Sequence, residues 1–170
     1  AKFLPAPPVE SEAFKKWFGD SKVVDENGNP LVMYHGTLDA RFSKFHTNKN
    51  TAEGAAFFTV SPEVANHFAD SGPFGYPLGD RAREAVFPVF LSIQNPLVAD
   101  ASRAMRNSQH SFEAMRNLIE EAKAAGHDGL HLKSVPDGNR VADQWAAFRP
   151  KQIKSAIGNR GTFDSANPDI

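Results

Sequence analysis

The apolar residues of this chain come in short runs, and that pattern limits the architecture more than any other feature. Leu31–Tyr34, Gly54–Thr59, Val86–Ile93, Leu130 with Leu132, Trp145–Phe148 and Ile153–Ile157 each have a strand's length, with turn-formers such as Asp25–Pro30 and Pro136–Asn139 between them. Pro88 inside one run predicts an edge or a bulge. Helical spacing is confined to three stretches. Ser11–Phe18 puts Phe14, Trp17 and Phe18 on one face, with Gly19 as the stop. Ser61-Pro62-Glu63 opens a second helix that aligns Val64, Ala65 and Phe68. Ser111–Ala125 turns Phe112, Met115, Ile119 and Ala122 inward and ends at Gly126. Many strands, few helices and no regular βαβ alternation predict an α+β fold, not a doubly wound sheet.

Several function classes fall away. The chain has no cysteine, so disulfides, thiolate nucleophiles and Cys-based zinc sites are excluded. His46, His67, His110, His127 and His131 are read as surface or structural residues, so no metal is expected. The dinucleotide G-x-G-x-x-G, the phosphate-binding G-x-x-x-x-G-K-[ST], H-E-x-x-H and G-x-S-x-G are missing. A net charge of −1 gives no global pull toward nucleic acid or anionic membrane. No stretch approaches the roughly 18 apolar residues a spanning helix needs. Residues 1–10, with Pro5, Pro7 and Pro8, read as a linker; residues 11–170 read as one domain, excised from a longer protein. Gly72–Gly79, with its glycines, prolines and aromatics, reads as a binding-site lid, and Gly158–Ile170 as a polar tail wrapping the surface. Arg149, Lys151, Lys154 and Arg160 form a modest basic cluster, read as a solvated face or an acceptor contact.

The chemistry centres on Tyr34-His35-Gly36-Thr37, where a strand is expected to deliver an imidazole into a turn. Two later segments join it: Ala56-Phe57-Phe58-Thr59 with Ala65 and Phe68, then Asp143-Gln144-Trp145-Ala146-Ala147-Phe148. In this order the three segments resemble the ADP-ribosyltransferase superfamily, in the branch of diphtheria-type toxins and poly-ADP-ribose polymerases. Phe14–Val24, Asn95-Pro96-Leu97, Gln152–Ala156, Gly161–Asp164 and Asn167–Ile170 bring the chain closest to the transferase domain of phage and mobile-element polyvalent proteins.

The resemblance implies a split, mostly antiparallel β-sandwich with flanking helices. It implies NAD+ as co-substrate, no metal, and cleavage of the nicotinamide–ribose bond with transfer of ADP-ribose to a host macromolecule. A protein acceptor is favoured over nucleic acid, the setting is the host cytoplasm, and NAD glycohydrolysis is an expected side activity. By resemblance, His35 bonds a ribose hydroxyl, the Gly36 backbone holds the carboxamide, and Thr37 completes the motif. Phe57 stands where relatives usually carry Tyr, Phe58 is beside it, and Phe68 stacks on nicotinamide. Ala65 replaces a hydroxyl that relatives often present. Gln144 stands where the family has its catalytic Glu; an amide accepts from a hydroxyl but supplies no charge. Asp143 is the adjacent acid, turned to the opposite strand face unless a bulge or frayed start redirects it. A non-catalytic NAD or ADP-ribose module and a structural appendage of a larger phage protein are the alternatives.

Overall fold

The computed structural model describes residues 9–37, 41–47, 54–71, 85–100, 111–137, 140–157 and 163–170. The strands are β1 (Met33–Thr37), β2 (Ala56–Thr59), β3 (Ala85–Leu91), β4 (Pro96–Asp100), β5 (Gly129–Asp137), β6 (Arg140–Ala147) and β7 (Ile153–Ser155). The helices are α1 (Glu12–Phe18), α2 (Pro62–Ser71) and α3 (Ser111–Ala124). One sheet of order β4-β5-β6-β2-β1-β3-β7 holds all seven strands. Among the described strands only β4 and β5 run parallel, joined through α3. The fold is α+β and mostly antiparallel, and Gly72–Gly79 lies outside the described residues.

Local chemistry explains the helix ends. The Ser11 hydroxyl accepts from the Phe14 N–H at 3.1 Å, and Gly19 takes φ 53° to end α1. The Ser61 hydroxyl accepts from Val64 N–H at 3.3 Å at the start of α2. At the end of α3, His127 N–H reaches the Ala122 carbonyl and Gly126 N–H reaches that of Lys123, a Schellman pair closed by the positive φ of Gly126.

Three clusters form the core. Leu118, Ile119 and Ala122 of α3 cover Leu130, Leu132 and Ala146 on one sheet face. Met33, Phe58, Val89, Leu91, Trp145 and Ala147 pack on the other face. The α1 aromatics Phe14, Trp17 and Phe18 join Phe90 and Phe163. Phe163 is 3% exposed, so the tail read as surface wrapping contributes to the core.

The sheet is split. β1 pairs with β3 through five residues, from Met33↔Val89 to Thr37↔Ala85. β2 pairs with β6 through four, from Ala56↔Ala147 to Thr59↔Gln144. Between β1 and β2 the register holds one pair, Tyr34↔Thr59. His35, Gly36 and Thr37 therefore lie within a strand, not in the turn expected after one. β6 likewise starts at Arg140, which places Gln144 in mid-strand.

Pro88 fixes the backbone directions at the split. β3 is interior, contrary to the edge expected for it; its proline faces β7, where its carbonyl accepts from Ala156 N–H at 2.9 Å. Tyr34↔Pro88 is therefore a non-hydrogen-bonded pair of the β1–β3 ladder. Tyr34 then turns its own N–H and C=O toward β2, His35 toward β3, and Gly36 toward β2 again. At Gly36 the β1–β2 ladder has already ended.

Gly36 also seats α2. A Cβ there would fall 1.8 Å from the Ala65 carbonyl oxygen and 2.9 Å from Ala69 N, both backbone atoms. Ala65 and Ala69 are 1% and 2% exposed, small residues at a close helix–strand crossing. Gly36→Ala must push α2 off the sheet, and is expected to destabilise the fold by about 3 kcal/mol or more. Urea unfolding of the variant beside the parent checks this; an unchanged midpoint contradicts the packing.

Candidate functional site

Strand alternation sorts the candidate residues onto two faces. Tyr34, Thr59 and Gln144 are successive cross-strand partners, so they share a face. Gly36 follows Tyr34 by two and Phe57 precedes Thr59 by two, which places both on that face, together with α2 and α3. His35, Phe58, Trp145 and Asp143 belong to the opposite face.

His35 nevertheless spans the split. Its Nδ1 lies 2.7 Å from the Phe57 carbonyl oxygen of β2. A carbonyl only accepts, so Nδ1 carries the proton and Nε2 is left as an acceptor. Phe45 stands edge-on to the ring at 4.9 Å and 90°, and Phe58 lies at 5.5 Å. Burial pushes the imidazole below its usual range, opposed by the bond to Phe57, so the ring is held neutral. Phe58 is 2% exposed and belongs to the core beneath His35; any influence on a ligand passes through that ring.

On the other face Phe57 is half-buried and packs against the α3 cluster. Phe68 is half-buried on α2 and belongs to none of the three clusters among the described residues. Ala65 offers a methyl group and, through its carbonyl, the backbone seat of Gly36. Thr37 is half-buried and pairs with Ala85. The Gln144 amide is half-buried and has no hydrogen-bond partner among the described residues. Beside it the Thr59 hydroxyl accepts from Ser61 N–H at 3.2 Å. At the rim, Arg140 of β6 meets Glu63 of α2 at 3.6 Å, an exposed pair that adds little stability.

The structure does not bring Asp143 to Gln144's face. There is a bulge, but it lies in β5, between Leu132 and Val135, and Asp143 serves it. Its Oδ1 accepts from Ser134 N–H at 3.0 Å, where Ser134 has φ 54°, and its Oδ2 lies 2.8 Å from His131 Nε2. Burial raises the Asp143 pKa, but the bonds from Ser134 and His131 and the charges of His131 and Lys133 outweigh it, so the carboxyl sits below its usual range. His131 in turn stacks on Trp145, ring centres 4.0 Å apart and 9° from parallel.

Sequence reasoning missed this His131–Asp143–Trp145 arrangement, and it missed Tyr34 and Thr59 as neighbours of Gln144. A β5–β6 hairpin register allowing one bulged residue would have exposed the first; the second joins strands distant in sequence and had no local signal. It also misread Lys154. That residue is 0% exposed, with Nζ donating to the carbonyls of Asn167, at 2.8 Å, and Asp169. Arg149 and Lys151 are exposed and Arg160 is outside the described residues, so the basic cluster loses its centre.

A family model described as ADP-Ribosyltransferase in polyvalent proteins matches residues 25–163. Among solved structures, a chain in the crystal structure of the M. tuberculosis MbcT–MbcA toxin–antitoxin complex superposes with a TM-score of 0.50 at 12% identity. The match covers 74% of the present chain and 81% of that one, and at this identity it is a likeness of fold. No curated protein matches. No helix among the described residues is long and apolar enough to cross a membrane.

The neutral His35 makes a pH prediction. The unfolded chain takes up a proton near the ordinary imidazole value of 6.5 that the folded ring resists. Stability is therefore complete above that value and declines as pH falls through it. The contribution from one such group is at most about 1.4 kcal/mol per pH unit. Denaturant midpoints measured from about pH 7.5 to about pH 5 should fall more steeply for the parent than for His35→Phe; equal slopes would show that the ring protonates freely in the fold.

Proposed function

Because the chain belongs to the ADP-ribosyltransferase family of polyvalent proteins, a family of NAD+-using transferases, we propose that it is a mono-ADP-ribosyltransferase whose NAD+ site lies at the split between β1 and β2. The observation that carries this reading is the Gly36 backbone, whose N–H and C=O turn into the split after the ladder has ended. A primary carboxamide has one acceptor and one donor group, and the N–H and C=O of one strand residue, aimed the same way, offer the complement of both. Phe57 and Phe68 are the aromatic faces that flank the nicotinamide ring. His35 Nε2 accepts from a ribose hydroxyl, and the unpartnered Gln144 amide accepts from the 2′-hydroxyl.

In the reaction the bond between the nicotinamide nitrogen and ribose C1′ breaks, and the electron pair leaves with neutral nicotinamide. An acceptor nucleophile attacks the oxocarbenium-like C1′ and loses its proton. Thr59 and Tyr34 are the polar neighbours of Gln144 in its cross-strand row. Asp143 has no part in this step, since His131 and Ser134 engage its oxygens on the other face. The acceptor proposed is a host macromolecule, with a protein favoured because a net charge of −1 gives no attraction to polyphosphate. Water as acceptor gives the glycohydrolase side reaction.

Gln144 sets the rate. It orients the ribose but leaves the cationic character of the transition state unbalanced, where a carboxylate would stabilise it. Gln144→Glu is expected to raise nicotinamide release by about 10²-fold or more. The measurement is nicotinamide production and label transfer from labelled NAD+ in the presence of host lysate. No turnover in either form would sink the enzyme reading. The second reading, an NAD or ADP-ribose binding module, rests on the same neutral amide. Calorimetry finding NAD+ binding without turnover in both forms would favour it.

A further inference from the structure

We infer that the segment Asn167–Ile170 positions His35, acting through Ser43 and Phe45. Two bonds join this segment to the loop that follows β1. Ile170 N–H donates to the Ser43 carbonyl at 2.8 Å, and the Ser43 hydroxyl donates to Asp169 Oδ1 at 3.2 Å. Both fall on one loop residue, and its neighbours Phe42 and Phe45 are aromatic anchors. Phe45 is 4% exposed and stands edge-on to His35, while Phe42 packs on Phe45 at 4.9 Å. Ile170 packs against the same cluster.

The other end of the segment is held from within the sheet. Lys154 of β7, fully buried, donates to the Asn167 and Asp169 carbonyls. A buried ammonium without acceptors would be strongly unfavourable, and the Asn167 and Asp169 carbonyls supply them, which ties the segment to β7. Asp169 N–H also donates to the Asn167 side-chain oxygen at 3.0 Å, which stiffens the segment between its two attachments. The line of contact runs from β7 through the segment to Ser43, from Ser43 to Phe45, and from Phe45 to the ring that bridges the split. Shifting Ser43 turns Phe45, and the imidazole edge facing the split moves with it. Asp169 and Ser43 are thus positioning residues and need not touch a ligand.

The role in NAD+ binding rests on the proposed function, but the primary readout does not. The ring-proton NMR signals of His35 sense the edge-on Phe45 directly, in protein without NAD+. Asp169→Ala and Ser43→Ala should each move these signals while leaving the urea midpoint close to the parent's. Asp169→Asn, which keeps an acceptor oxygen for the Ser43 hydroxyl, should restore them. In turnover assays the two alanine variants should raise KM for NAD+ by about 2- to 10-fold, the factor carried by one hydrogen bond, with kcat little changed. Signals of His35 unmoved in both alanine variants overturn the proposal. So does an Asp169→Asn variant that shifts them as much as Asp169→Ala. A protein with no NAD+ turnover, but with His35 signals that follow this pattern, would retire the enzyme reading and leave the positioning intact.

Discussion

Two half-sheets meet at one residue pair and one imidazole. Tyr34↔Thr59 is the whole β1–β2 register, and the next tie across the gap is the His35 bond to the Phe57 carbonyl. The proposed site follows from that economy. Continuing the ladder would have consumed the Gly36 peptide groups in pairing. Its early end leaves them directed at a gap, with Phe57 and Gln144 on the same face and α2 pressed over it. The His35 side-chain bond to the Phe57 carbonyl ties the halves together beyond that pair.

The electrostatic character of this junction is neutral. The imidazole is neutral, Gln144 is an amide, and the adjacent carboxylate of Asp143 is engaged on the far face. Glu63 lies at the rim but is paired with Arg140 and the Ser61 hydroxyl. The glycine at the junction's centre answers a packing demand as well, since α2 backbone occupies the space of the missing Cβ.

Much of the architecture was legible because short-range signals and burial agree there. α1, with its serine cap and aromatic face, and β2, a short run before a Ser-Pro-Glu helix start, follow from neighbouring residues alone. The failures share a cause. β4 and the outer half of the β5–β6 hairpin have exposed or polar positions such as Val98, Lys133, Arg140 and Val141, so alternation is faint and cross-strand pairing alone makes them strands. Pro136–Asn139 was readable as a turn, but the hairpin register around it was not carried to Gln144. Lys154 was misjudged because lysine rarely goes inside, and the carbonyls that satisfy it lie thirteen and fifteen residues away. The site's residue types were visible from the three-segment resemblance. Their distribution over two faces depends on Pro88 and on the register, which are tertiary facts.

The bulge at Ser134 has an architectural consequence. It takes up one surplus residue in β5, so Leu132 and Val135 both face α3 although they are three positions apart. The hairpin tip beyond it therefore tolerates growth in matched pairs, one residue in each arm, with the stem left in phase. A lone insertion between the tip and Gln144 would instead invert the inside and outside of everything distal to it. Length variation among related chains should accordingly be even-numbered across this turn, with odd changes confined to a second kink of the same kind.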